Sequence, residues 1–470
     1  MRLMSIQPRN NRSLHWLWYS FKYCSSVHSL NFAGDKFISM TESIFSNDFK
    51  AHPFWWDQTP RPESDRVELP EKTEVLVIGS GYTGLNCALE TVRAGRDTLV
   101  IDAQSAGWGC SSRNGGQVSG EIKPGYDQLT KKYGSDKAFD LVREARNALD
   151  WLGESIRTEN IDCDFLQCGR FHAAHNPRQF RQLVDIASNQ PRGLEHSLSI
   201  VERKDQASEI DSDFYHGGLL IDSHCSIDPA KYHHGLLKIS TDNGVRVVSD
   251  CEAVNIERTG DGFHVSTSRG VVKTKKVVVA TSGYTGKVTP WQRRRIIPIG
   301  SYMLATEQID PARMSQLMPN DRVHSDTRKL VVYYRRSPDG TRLLFGGRVS
   351  VFESDPVKSA PALRQEMLRI FPQFVDVKLS HSWMGFVGYS FDHLPHLGEK
   401  DGLFYAMGYC GSGICLASYF GNRLGMQVLG RSEGKIAFND MPFQSRPLYT
   451  GKPWFLGAVV RYHHIRDRLV

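Results

Sequence analysis

The chain has 470 residues, of which 40% are hydrophobic and 23% charged, the balance of a globular protein with room for two or three domains. Its formal net charge of +7, from 58 basic and 51 acidic residues, is small and dispersed, so nucleic acid is not expected as a partner. Nine cysteines, an odd number with no C-x-x-C pair, argue against a zinc or disulfide framework and for a reducing, cytoplasmic setting. No apolar run approaches the ~18 residues that cross a bilayer, so no transmembrane segment is expected.

Residues 1–39 are serine-rich and carry Arg2, Arg9, Arg12 and Lys22, with no acid before Asp35. That composition resembles a transit peptide. The preferred reading is a disordered extension or a mis-called start, with Met40 as the true beginning. Residues 40–72 follow as an N-terminal arm, proline-rich from Pro53 to Pro70 and carrying Trp55 and Trp56.

Residues 74–78 (EVLVI) read as a buried parallel strand, 85–94 as a helix closed by Gly95, and 98–102 (TLVID) as a second strand. Helix-like stretches at 137–155 and 177–188 alternate with short strands up to residue 224. A helix is predicted over 229–242 and a strand over 245–248. A small ribbon follows over 253–257, 263–267 and 271–273, then a separate buried strand over 276–281. Residues 297–306 and 329–349 have β character, with a turn at 338–340, and helix returns at 361–370. A strand at 403–407, a Gly-rich loop at 408–413 and a helix at 414–429 close the series. Nucleotide-type elements near the start, middle and end imply one domain assembled from several segments, with a second inserted into it.

Between the first strand and helix lies Gly79-x-Gly81-x-x-Gly84, with Asp102 at the end of the second strand, 18 residues beyond Gly84. Strand, loop, helix and acid in this order make a dinucleotide site. Gly79 permits the tight turn, Gly81 the approach of a pyrophosphate, and Gly84 close packing of helix on strand. Tyr82 and Thr83 open the helix, whose free N–H groups face the phosphates. Asp102, with Ala103 beside it, is placed to accept hydrogen bonds from ribose hydroxyls. Enzymes that pass electrons from NADPH to FAD often carry two such fingerprints. This chain has one, so NAD(P)H is not expected as electron donor.

Two further segments suit a flavin. GWGCSSRNGGQV (107–118) offers small residues for close approach, the Ser111 hydroxyl and the Arg113 charge, with Asn114, Gly115, Gly116 and Gln117 completing the loop. Gly411, Ser412, Gly413 and Ile414 lie at a strand-to-helix junction. A helix N-terminus there suits the flavin N1–C2=O edge, where negative charge collects on reduction.

These pieces, together with VVVATSGY (277–284), LLFGGR (343–348), GYCGSGICL (408–416) and the closing RDRL (466–469), resemble the D-amino-acid-oxidase-like family of FAD-dependent oxidoreductases. Within it they are most similar to the bacterial gamma-glutamylputrescine oxidase branch. The resemblance implies an α/β fold: a Rossmann-like, glutathione-reductase-type FAD-binding domain with an inserted mixed, largely antiparallel β-sheet substrate domain. It assigns residues 73–125, 225–290 and 385–435 to the first and 126–224 and 291–384 to the second, with 436–470 as a tail packed on the body. It also implies that Ala253 faces the adenine, that Thr281 and Ser282 lie near the nucleotide, and that 411–414 lie beside the flavin ring. Some relatives attach FAD through a cysteine in the segment matching 385–392. This chain has none there, so FAD is expected to be non-covalent. A lysine that relatives use toward oxygen is absent near Leu344, which leaves oxygen or another acceptor open.

The expected reaction is oxidation of an amine C–N bond by hydride transfer to flavin N5, followed by imine hydrolysis. The expected substrate is an amine, gamma-glutamylputrescine-like or another secondary amine. A D- or N-methyl-amino acid substrate, or a flavin-binding subunit without turnover, are the alternatives. Arg348 and Tyr334 are the candidate catalytic contacts, with one of Tyr333 and Tyr334 walling the pocket. His224, His393 and His396 are possible proton handlers, and Trp383 and Phe386 possible lining residues. No metal-ligand spacing stands out, and no metal is expected.

Overall fold

A computed structural model describes residues 43–62, 67–349, 353 and 355–469, apart from a few side chains near the C-terminus. The extension expected over 1–39 lies outside them.

Five strands form a parallel sheet in the order Arg246–Val248, Thr98–Ile101, Lys72–Ile78, Gly270–Val279 and Leu403–Met407, with His396–Lys400 antiparallel at its edge. Its strands read as unbroken apolar runs because both faces are covered. Alternate residues then serve alternate faces. Val75, Val77, Val100 and Val278 join the core beneath helices Tyr82–Arg93 and Gly413–Val428. Leu76, Ile78, Leu99 and Ile101 pack with Phe263, Val265 and Val272 of the antiparallel ribbon. The last strand of the ribbon and the buried strand, expected as separate pieces, are one continuous strand, Gly270–Val279. Its first half pairs with Phe263–Thr267 and its second with Leu403–Met407, while Lys72–Ile78 runs along the other edge.

The second sheet has nine strands and is mostly antiparallel, in the order Phe45–Lys50, Leu379–Tyr389, Ile297–Thr306, Leu343–Gly347, Val332–Arg336, Val323–Asp326, Arg170–Ala173, Gly218–Ile221 and Leu198–Val201. One face, with Tyr302, Leu304, Phe345 and Tyr334, packs on helix Pro356–Ile370 through Leu363 and Met367. The other carries Met303, Leu344 and Trp383, which pack with Trp55. The expected boundary at residue 385 falls inside the strand Leu379–Tyr389.

The arm is more structured than its prolines suggest. Phe45–Lys50 adds a parallel edge strand to Leu379–Tyr389, and Trp55 is buried. The Trp55 and Trp56 indole N–H groups donate to the Asn114 carbonyl and the Ser112 hydroxyl, both at 2.9 Å, which clamps the arm onto the 107–118 loop. Asp57 takes Lys50 at 2.7 Å, His52 at 2.8 Å and His381 at 3.1 Å. Burial raises its carboxyl, but the Lys50 and His52 hydrogen bonds win and hold it at about 2. The ligand atoms of His52, Asp57 and His381 lie within 4.8 Å of one another, and the Lys50 ammonium supplies the cation on that carboxylate. At the other end, Leu456–Leu469 is a helix with Leu456 and Val460 buried. Among the described residues no helix is long and apolar enough to cross a membrane.

Candidate active site

The two sheets meet over a cavity of about 1910 Å³. That is roughly twice the ~1,000 Å³ upper end of ordinary ligand pockets, room for a dinucleotide and a substrate together.

Gly79 ends the first strand at φ +108°, and a Cβ there would lie 2.9 Å from the Ala280 carbonyl oxygen. A Cβ on Gly84 would overlap the Gly79 carbonyl oxygen, which is how close the helix sits on its strand. Gly81 is the helix N-cap and lines the cavity, and a Cβ on it would come 2.8 Å from Ser111 Oγ. This glycine-floored opening at a helix N-terminus is the cradle a pyrophosphate needs, so the residues present fit a dinucleotide. Asp102 Oδ2 accepts the Ser80 amide at 2.8 Å and the Ser80 hydroxyl at 2.6 Å, which aims the carboxylate along the loop. Burial raises its carboxyl.

The Gly-rich loop at 408–413 is pinned by helix packing. Gly421 and Gly425 let Gly413–Val428 cross Tyr82–Arg93 at backbone contact, since a Cβ on Gly421 would overlap the Thr83 carbonyl oxygen. Thr83 Oγ1 and the Tyr409 hydroxyl are 2.6 Å apart. Gly411 has φ +104°, and Ser412 is the N-cap of the helix that Gly413 and Ile414 begin.

Of the residues singled out for the cofactor, Gly79, Gly81, Tyr82, Thr83, Asp102, Ala103, Ser111, Arg113, Asn114, Gly115, Gln117, Ala253, Thr281, Ser282, Gly411, Ser412, Gly413 and Ile414 all line this one cavity. Gly84 and Gly116 are not on its wall. Both serve packing: Gly116, at φ +66°, lies against the Ile227 carbonyl. Arg113 differs from a phosphate-binding arginine. Its guanidinium sits between the Trp56 and Trp108 rings, 4.6 and 4.2 Å from their centroids, and donates to the Trp108 carbonyl at 2.6 Å and the Met384 carbonyl at 3.3 Å. It therefore staples the loop to the long strand of the second sheet. Gln117 makes a similar tie to the His324 and Tyr334 carbonyls, at 3.1 and 3.2 Å.

Tyr334 does not reach the cavity. It is fully buried, stacked between His324 and Phe345, because its side of the strand faces the helix-covered core. Its neighbour Tyr333 faces the other way and lines the cavity, its ring over Gly115 and Gly346 and its hydroxyl 2.8 Å from Ser301 Oγ. Arg348 lines the cavity too. Its Nη1 donates to the Gly300 carbonyl at 2.8 Å and to Glu353 at 2.9 Å. His224, His393 and Phe386 are on the wall. His396 instead pairs with Asp392 at 3.0 Å and stacks on Phe443, and Trp383 is a buried packing residue that donates to the Arg113 carbonyl at 2.8 Å. Sequence reasoning missed Glu121, Lys123, Arg170, His172 and Tyr389, which also line the cavity. A signal existed for two of them: in Arg170-Phe171-His172-Ala173 polar and apolar residues alternate, so both polar ones share a face.

A family model described as FAD dependent oxidoreductase, DAO, matches residues 74–425. The chain belongs to the DAO family of FAD-dependent oxidoreductases. It is 32% identical to the gamma-glutamylputrescine oxidoreductase of Escherichia coli (strain K12), over 84% of this chain and 93% of that one. It is 30% identical to the "probable oxidoreductase OrdL" of Rhizobium meliloti (strain 1021), over 88% of this chain and 97% of that one. The glycine oxidase structure from Geobacillus kaustophilus superposes with a TM-score of 0.66 at 17% identity, covering 80% of this chain and 99% of that one. The fold is thus that of the DAO family, an FAD-binding domain joined to a β-sheet domain. Like other members, the protein is an FAD-dependent oxidoreductase enzyme of the amine and amino acid class.

Proposed function

We propose that the protein oxidises the C–N bond of the free amino group of an amine of the gamma-glutamylputrescine kind, using non-covalently bound FAD. The convergence of both glycine loops and the walling Tyr333 and Arg348 on one cavity carries this reading, with the 32% identity to an enzyme named for that substrate. When bound, FAD supplies the hydride acceptor. Gly79, Gly81 and the N-terminus of Tyr82–Arg93 would hold its pyrophosphate, Asp102 its ribose, and the helix N-terminus at Gly411–Ile414 the flavin's N1 edge.

The remaining work of the chain is positioning and exclusion of water. Tyr333 and Tyr389 offer flat walls, and burial raises the Tyr333 hydroxyl to about 12, which keeps it a neutral donor. A hydride leaves only from the neutral amine, so the site must hold the reacting amine deprotonated against the flavin. His172 is held down at about 4 by burial and by Arg170, so it stays neutral at neutral pH. The cavity-lining Cys110 is pushed up to about 11 by burial, which keeps its thiol protonated and fits non-covalent FAD.

The test is anaerobic reduction of the purified flavoprotein by polyamines, gamma-glutamylated amines and amino acids. Bleaching by the amine set supports the reading. Bleaching only by amino acids would move the substrate to that class. A flavin that dithionite reduces but no amine does would make the chain a non-catalytic flavin-binding subunit. Oxygen uptake with the reducing amine then decides whether oxygen is the acceptor.

The tyrosine pair gives a sharper check. Tyr333→Phe is expected to lower kcat/KM about fivefold while flavin content stays constant, since it removes one wall hydroxyl worth ~1 kcal/mol. Tyr334→Phe is expected to leave kcat/KM unchanged. The reverse result would show that the sheet faces are assigned to the wrong sides.

A further inference from the structure

One wall of the cavity carries charges that hydride transfer from a simple amine does not need. The loop after Gln117–Val118 pairs that strand antiparallel with Cys225–Ser226, which brings residues 119–123 beside His224. Glu121 lies 3.6 Å from His224 Nε2 and 3.7 Å from Arg170 Nη1, in ion-pair range but beyond hydrogen-bond length. Its side chain keeps 42% of its surface accessible where the cavity opens over it, whereas that of Arg170 keeps 17%. Arg170 Nε and His224 Nδ1 are buried without hydrogen-bond partners among the described residues. Lys123 reaches toward the flavin-side loop: its Nζ would lie 3.8 Å from a Cβ built on Gly411. The next cation along the wall, Arg146, is committed to the Leu194 carbonyl.

We propose that Glu121, Lys123 and Arg170 form a recognition site for a substrate head group that carries both a carboxylate and an ammonium. With His172 and His224 neutral, Glu121 is the anion of this stretch of wall, with Arg170 beside it and Lys123 and Arg146 as the further cations. A plain diamine would bring a second ammonium against Lys123 and Arg170. A plain carboxylate would meet Glu121. An α-amino-acid head, as in a gamma-glutamyl amide, pairs its ammonium with Glu121 and its carboxylate with Lys123 and Arg170. Polar groups arranged in this way discriminate strongly, because an analogue lacking one partner covers a charged group without pairing it. This inference rests on the amine reading above, and it assigns the part of the substrate that is not oxidised.

The experiment uses the holoenzyme and four amines that differ only at the far end: gamma-glutamylputrescine, N-succinylputrescine, N-acetylputrescine and putrescine. Anaerobic flavin reduction is followed for each. The wild type is expected to favour the gamma-glutamyl compound over the N-acetyl one about 100-fold in kcat/KM. Glu121→Gln is expected to shrink its advantage over the N-succinyl compound about tenfold, through KM, with the rate at saturation within about twofold. Lys123→Met is expected to shrink its advantage over the N-acetyl compound instead. If all four amines reduce the flavin with similar kcat/KM, the recognition site is wrong and the amine reading stands. If none reduces it, the amine reading falls and the site with it. The wild-type ranking needs no variant, so a misfolded substitution cannot rescue the idea.

Discussion

Gly84→Ala is expected to yield a destabilised protein that purifies without its yellow colour, whereas Gly81→Val is expected to yield a folded protein without colour. The two glycines sit three residues apart in one loop and do different jobs. A methyl group on Gly84 would overlap the Gly79 carbonyl oxygen, a backbone atom that cannot move without displacing the strand. Overpacking of this kind costs ~1–3 kcal/mol or more. Gly81 has an ordinary φ of −77°, so a side chain there strains nothing in the backbone. Its nearest obstacle is the Ser111 hydroxyl at 2.8 Å, the end of a side chain. A valine at 81 instead fills the space at the helix N-terminus that the cofactor's pyrophosphate would occupy. The measurement is the ratio of flavin to protein absorbance, with a thermal melt of each apoprotein. A yellow Gly81→Val protein would show that the pyrophosphate lies elsewhere.

Arg328→Met is expected to cost ~3–5 kcal/mol. Arg328 Nε lies 2.6 Å from Asp326 and its Nη1 2.7 Å from Glu366, and the Asp326 side chain is 0% exposed. Burial raises the Asp326 carboxyl even with the guanidinium in place. Removing Arg328 strands that carboxylate in the interior. A carboxyl raised in the folded state binds its proton more readily there than in the unfolded chain. The penalty should therefore be largest at neutral pH and should ease as pH falls toward the raised value. Asp326→Asn combined with Arg328→Met should recover much of the loss, because no charge is then left unpaired. Urea unfolding at pH 8 and pH 5 reads both effects. A variant as stable as wild type at pH 8 would mean the pair is not buried in solution.

The parallel sheet was legible because its signal is local. A strand buried on both faces must be apolar at every position, and EVLVI, TLVI and KVVV say so directly. The glycine loop was legible for the same reason: tight turn, close approach and close packing each demand a residue without a Cβ at a set spacing. The arm was not. Phe45–Lys50 takes its place by pairing with Leu379–Tyr389, over 300 residues away, and nothing within the arm itself names that partner. The charge of Arg113 beside a glycine-rich loop was legible, but not what holds it. Its stacking between Trp56 and Trp108 depends on an arm whose position the local sequence does not set.

Tyr333 and Tyr334 show the limit most plainly. Alternation along Val332–Arg336 guaranteed that the two rings lie on opposite sides of the sheet. Which side is core was decided by helix Pro356–Ile370, which covers the face bearing Tyr334 and leaves Tyr333 to the cavity. Glu121 and Lys123 of one loop and Arg170 of a strand almost fifty residues on form one charged wall only when the strand pairing Gln117–Val118 to Cys225–Ser226 closes. Sequence alone determined the cofactor class and the nucleotide-binding unit, since these rest on backbone geometry that short motifs must encode. Tertiary structure alone decided what the pocket is lined with, because a pocket wall is made of side chains that share a face and not a neighbourhood in the chain.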